Sequence, residues 1–191
     1  KNNISVKNVD ALTGYLVGGT LTITLIMVGF SIVKSFALIF PPAVLFVLSG
    51  IVFGDMVTAV LVNALATACS LILPYFLGKF MGMDAVDSLK KKFKAIEKFD
   101  SFTDDNVFGV VFVGKVACLL PSDLNSLVLG AMNLPFGKYF FASNVGLFII
   151  NILWTLFGMS GDFTNIWSYL YLLPIVFITL GGVLYLSKSA S

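Results

Sequence analysis

Lys115, Asp123, Asn125 and Ser126 stand within VFGVVFVGKVACLLPSDLNSLVLGAMNLPFG, a stretch that is otherwise apolar. Ionisable side chains in such surroundings are costly, and they line a cavity or pair with one another. Lys115 supplies a charge that attracts a phosphate or carboxylate, Asp123 a counter-charge or a coupling group, and Asn125 and Ser126 neutral hydrogen-bond partners. A continuous helix would not bring Lys115 and Asp123 together, whereas a turn around Pro121 does. Asp55, at the mouth of an earlier proline-bearing segment, is the third ionisable candidate. The plain structural alternative is a buried ion pair that only holds the local fold.

The same residues suggest how an anion would be met. PSDLNS has the vocabulary of a helix start, with Ser122 or Asp123 as the cap, and a helix N-terminus at membrane depth attracts anions. Other chemistries lack their residues. The sequence has no His, which removes Ser-His and Cys-His pairs and imidazole relays. Its twelve cationic residues are all Lys, which argues against bidentate phosphate or nucleic-acid readout. Cys69 and Cys118 lie in apolar stretches and read as packing residues. No metal site, no cofactor and no enzymatic activity are expected.

The elements that must position these groups follow from hydropathy. Of 191 residues, 58% are hydrophobic and 12% charged, and mean hydropathy is +0.99, so a water-soluble fold is not expected. Charge-free runs cover Ala11 to Val33, Ser35 to Gly54, Met56 to Gly78, Tyr139 to Gly161 and Phe163 to Ser187. Each suffices for a hydrocarbon core that needs ~20 helical residues. Leu12 to Val33 reads as a retained span rather than a signal peptide. The second run is broken by Pro41 and Pro42, leaving arms that rise only ~9 Å and ~16 Å. Neither arm crosses alone, so a re-entrant hairpin is expected, with one kinked spanning helix as the alternative. In a hairpin, Lys34 and Asp55 emerge on one face and can pair.

Pro121 opens a second segment of the same kind. Pro41 and Gly50 are spaced like Pro121 and Gly130, and Pro41 to Gly78 spans the same 37 residues as Pro121 to Gly158. Pro41, Pro42, Gly50, Gly54, Pro121, Gly130 and Gly137 are read as hairpin geometry and close packing. Two such units entering from opposite sides form an inverted repeat. The expected fold is an all-α integral membrane domain of about four transmembrane helices plus two re-entrant helical hairpins. Residues 1–34 form an N-terminal span, 35–78 the first repeat, 79–106 a cytoplasmic amphipathic linker, 107–161 the second repeat and 162–191 a C-terminal span. With both termini cytoplasmic, the inner side collects ten lysines and the outer side keeps Lys34 alone. Val86, Leu89, Phe93, Ile96 and Phe99 form the apolar stripe of the linker, whose lysines either attract anionic headgroups or are merely solvated. Trp167, Tyr169 and Tyr171 read as an interfacial belt.

FPPAVLFVLSGIVFG, YFLGKFMG and GKVACLLPSDLNSLVLGAMNLPFGKYF, in this order, resemble the VTT domain of the DedA and SNARE-associated Golgi protein superfamily, from about Phe40 to Gly161. The family commonly has Arg in place of Lys115 and of Lys79, and a further Pro in place of Cys118. Lys115 supplies the charge without the guanidinium fork. The resemblance implies lipid movement between leaflets, by phospholipid scrambling or polyprenyl-phosphate carriage, and some bacterial members resemble proton-linked transporters. It carries no implication of SNARE binding.

The leading expectation is therefore a lipid translocator in which Lys115 attracts the phosphate, Asp123 and Asp55 balance charge, and Asn125 and Ser126 donate hydrogen bonds. The alternatives are a proton- or ion-coupled carrier of a small solute and a non-transporting scaffold. Membrane lipids are the expected partners, with protons or ions as coupling species, homo-oligomers allowed and nucleic acid excluded. The expected location is a bacterial inner membrane, with a eukaryotic endomembrane as the alternative.

Overall fold

Two adjacent prolines stand between one helix and the start of the next. Helix α1 (Thr20–Lys34) tightens into a 3-10 turn at Ser35–Ala37 before Pro41, and α2 (Pro42–Phe53) begins with Pro42 at its first position. That is where a missing N–H costs nothing and a fixed φ is already helical. Gly54, at φ +62°, ends α2 in the left-handed region, and Asp55 then caps α3 (Met56–Met81) by accepting the Thr58 N–H at 2.8 Å. The remaining helices are α4 (Met83–Lys90), α5 (Val107–Val116), α6 (Ser122–Ala131), α7 (Phe136–Met159), a 3-10 turn at Ile166–Leu172 and α8 (Leu173–Ser189). This computed structural model describes residues 19–37, 40–90, 96, 106–118, 120–161 and 164–189, and among them there is no strand.

Helices α3 and α7, of 26 and 24 residues, are long and apolar enough to cross a membrane. The first expected span falls partly outside the described residues, and the last is a 3-10 turn followed by the 17-residue α8. Of the expected amphipathic linker, α4 and Ile96 are described, with Val86 and Ile96 fully buried, whereas Phe93 and Phe99 lie outside the described residues.

The repeat seen in the sequence reappears in the packing. Helix α2 packs chiefly on α7, and α6 on α3, so each short proline-started helix lies on the long helix of the other half. A Cβ on Gly130 would collide with the Tyr75 carbonyl, and one on Gly78 with the Leu127 backbone. At the other crossing, a Cβ on Gly50 would collide with the Thr155 carbonyl and one on Gly158 with the Val47 backbone. Each residue of one set stands 80 positions from its counterpart, as Pro41 does from Pro121. Small residues at these crossings bring two backbones into contact, which drives association where no hydrophobic force acts between helices in lipid. Gly137, by contrast, has open space around it in the first turn of α7.

Buried polar side chains lock the crossings. Pro74 cannot donate to the Ser70 carbonyl within α3, and the Ser35 hydroxyl approaches that carbonyl at 3.1 Å. Asn63 on α3 donates to Asn151 Oδ1 at 2.9 Å and Thr155 Oγ1 at 3.1 Å on α7, and to Ser49 on α2. Tyr75 and Tyr139 stack at 4.5 Å, with their hydroxyls donated to the Leu134 and Leu71 carbonyls.

Candidate functional site

The chain break between α5 and α6 brings Lys115 back onto the helix that follows it. From the last turn of α5 its ammonium donates to the Ser122 carbonyl at 2.8 Å and the Ser126 hydroxyl at 2.7 Å, and lies 3.4 Å from Ser122 Oγ. Ser126 in turn donates to the Ser122 carbonyl at 2.8 Å. The Tyr139 ring flanks the group, its centroid 5.8 Å from Nζ. Pro121 occupies the cap position of α6, so Ser122 and Asp123 lie inside the first turn and make no cap bond, unlike the expected capping.

Asp123 has a different partner. Its Oδ2 accepts from Lys34 Nζ at 2.8 Å, and both side chains are almost fully buried. The pairing suits both helices, because Lys34 is in the last turn of α1, where the dipole favours a cation, and Asp123 is in the first turn of α6, where it favours an anion. The expected Lys34 and Asp55 pair does not form. Asp55 is exposed and engaged with the α3 N-terminus, and the Thr58 hydrogen bonds hold its carboxyl below the ordinary range. Lys115, Asp123, Asn125 and Ser126 therefore share one buried region, from which Asp55 stands apart.

Above Lys115 a cavity of about 400 Å³ opens between the starts of α2 and α6. Pro42, Lys115, Pro121 and Ser122 line it on the side of the breaks, and Trp154 of α7 and Thr179 of α8 on the other. Two helix N-termini thus border one space with a buried ammonium in its wall, an arrangement suited to an anion. Asp123 Oδ1 and both amide atoms of Asn125 are buried without a hydrogen-bond partner among the described residues. A second cleft, of about 300 Å³, lies along α3 and α7 beside Thr67, Phe148 and Asn151 and has no ionisable group in its lining.

Residues 40–160 match the family model of the VTT domain. The chain belongs to the VTT domain family. This match takes in both proline-started helices, α3, α5 and α7, and leaves Lys34 outside. The VTT domain is also similar to the uncharacterized protein YqeD of Bacillus subtilis (strain 168), 25% identical over 108 residues, or 56% of this chain and 51% of that protein. The chain therefore spans about half the length of this curated relative. No solved structure matches. With the DedA-type family shown and two helices apolar enough to cross, this VTT domain is a membrane protein.

Sequence reasoning missed Lys34 as a site residue, because one charge between two apolar runs looks like a loop. It also passed over Asn63, Asn151 and Thr155, although polar side chains in the middle of charge-free runs were a readable signal.

Proposed function

We propose that this VTT domain moves lipids between the two leaflets of a membrane, accepting a phosphate-bearing headgroup in the cavity beside Lys115. The observation that carries the reading is the cavity itself, bordered by two helix starts and a buried ammonium and roomy enough for a headgroup. In this reading the two broken segments are re-entrant hairpins that enter from opposite faces, and the acyl chains stay in lipid while the headgroup passes between them. The 80-residue symmetry of the glycine crossings supports an inverted repeat, and the lysine asymmetry supports cytoplasmic termini. A bacterial inner membrane suits the likeness to a Bacillus subtilis protein. Lys115 attracts the phosphate, and Ser122, which lines the cavity beside that ammonium, provides a hydroxyl for the same group, while Ser126 holds the ammonium in place. No nucleophile, metal or cofactor is required for this task.

Liposomes containing the purified protein and fluorescently labelled phospholipid are expected to exchange lipid between leaflets faster than protein-free liposomes. Lys115→Ala should slow that exchange at least about tenfold, the scale of one lost charge-assisted contact. Exchange no faster than in empty vesicles would remove the reading.

A further inference from the structure

The charge count around Lys115 carries a more specific conclusion, which rests on the headgroup reading of the cavity. Lys34 and Asp123 meet at 2.8 Å with 4% and 1% of their side chains exposed. Among the described residues, they are also the side chains of full charge whose fields reach Lys115, whose own hydrogen-bond partners are the neutral Ser122 and Ser126. Two ammonium groups thus share one carboxylate, and the starts of α2 and α6 add partial positive charge at the cavity. An uncompensated buried charge is unfavourable until a counter-ion arrives. One negative charge beside Lys115 balances the group, and two overshoot it.

We infer that Lys34 is a specificity-determining residue: by occupying Asp123 it leaves Lys115 available to a headgroup of single negative charge, so the site prefers a phosphodiester to a phosphomonoester. Lys34 acts without touching the headgroup. With Lys34 removed, Asp123 neutralises Lys115 instead, and the attraction for an anion is lost. With Asp123 neutralised, the site holds two positive charges and suits the phosphomonoester. Lys34 lies ahead of the residues that match the VTT family model, so this selection belongs to the chain rather than to the matched segment.

Trp154 lines the cavity, and the only other tryptophan is Trp167. The whole chain carrying Trp167→Phe, in detergent at pH 7, is titrated with short-chain phosphatidylglycerol, short-chain phosphatidic acid and dimethyl phosphate while Trp154 fluorescence is read. At that pH the monoester carries about 1.5 to 2 negative charges. Phosphatidylglycerol should saturate the signal at a concentration about fivefold or more below phosphatidic acid. Asp123→Asn should move the preference toward phosphatidic acid by about tenfold or more, the effect of one charge several ångströms away at an effective dielectric of about 20. Lys34→Gln should abolish the phosphatidylglycerol signal. Lys34→Gln combined with Asp123→Asn keeps the net charge and should restore the original preference, which a merely damaged fold would not. Equal binding of the two lipids by the parent protein, absence of binding, or a preference unmoved by Asp123→Asn overturns the inference. If dimethyl phosphate binds as tightly as the lipid, the single-charge rule stands and the lipid reading falls. Charge-selective binding without leaflet exchange in liposomes sinks the transport reading alone.

Discussion

At the scale of single residues, the buried chemistry is an unequal division of one carboxylate between two lysines. Lys115 and Asp123 were legible as a pair of intramembrane ionisable groups, since burying charge in oil demands a partner or a cavity whatever the fold. Their pairing was not, because the partner of Asp123 is 89 residues away and is set by how α1 and α6 each pack on α3. Asp55 was legible as a charge but not as a cap, which depends on Gly54 turning the chain just before α3. The Lys34 and Asp123 pair should behave as a unit. Lys34→Ala takes from a buried carboxylate the cation hydrogen-bonded to it, which Lys115 balances only through its field, and should destabilise the protein by up to about 3–5 kcal/mol. Adding Asp123→Ala should recover part of that loss, because the orphaned charge is gone. Chemical denaturation in detergent of the two single variants and the double variant measures the coupling, and costs that simply add would rule it out.

At the scale of elements, the prolines and glycines do separate work that sequence spacing alone did not distinguish. Pro41 with Pro42 and Pro121 start helices, which their missing N–H and fixed φ dictate locally, so the breaks were readable. Gly50 and Gly130 were grouped with Gly137 under hairpin geometry and close packing, and they are places where backbones of different helices touch, whereas Gly137 is not. That distinction depends on the neighbouring helix, which local sequence does not contain. The same limit hid the Asn63 cluster, whose side chains join α2, α3 and α7 only after those helices have packed. The crossings give a paired prediction. Gly130→Ala and Gly78→Ala should each force α3 from α6 and cost at least about 1–3 kcal/mol, the range for overpacking a well-filled site. Gly50→Ala and Gly158→Ala should do the same between α2 and α7. Gly137→Ala, with open space around it, should be neutral or stabilise by up to about 1 kcal/mol. Melting temperatures of the five variants check this, and a Gly137 variant as damaged as the other four would contradict it.

At the scale of the whole molecule, the two halves share a backbone plan and differ in what they bury. The α2 and α7 crossing, with α3 beside it, carries neutral Ser49, Asn63, Asn151 and Thr155, whereas at the α3 and α6 crossing α6 carries Asp123, Asn125 and Ser126 near Lys34 and Lys115. Symmetric backbone with asymmetric chemistry is what two oppositely inserted copies yield when one has specialised in charge. The insertion itself can be tested on exposed positions that the repeat separates. Asp55 follows the first proline-started helix, and Lys138 lies in the first turn of α7, the helix that follows the second. If the halves are inverted and the lysine-rich side faces the cytoplasm, a cysteine at position 55 should react with a membrane-impermeant maleimide added outside intact cells. A cysteine at position 138 should react only after the membrane is opened. The parent for both is the Cys69→Ser, Cys118→Ser protein, since Cys118 is exposed and Cys69 partly so. Labelling of both positions from the same side would mean that the halves run parallel; the 80-residue correspondence would then reflect duplication without inversion, and a headgroup route between opposed hairpins would have no structural basis.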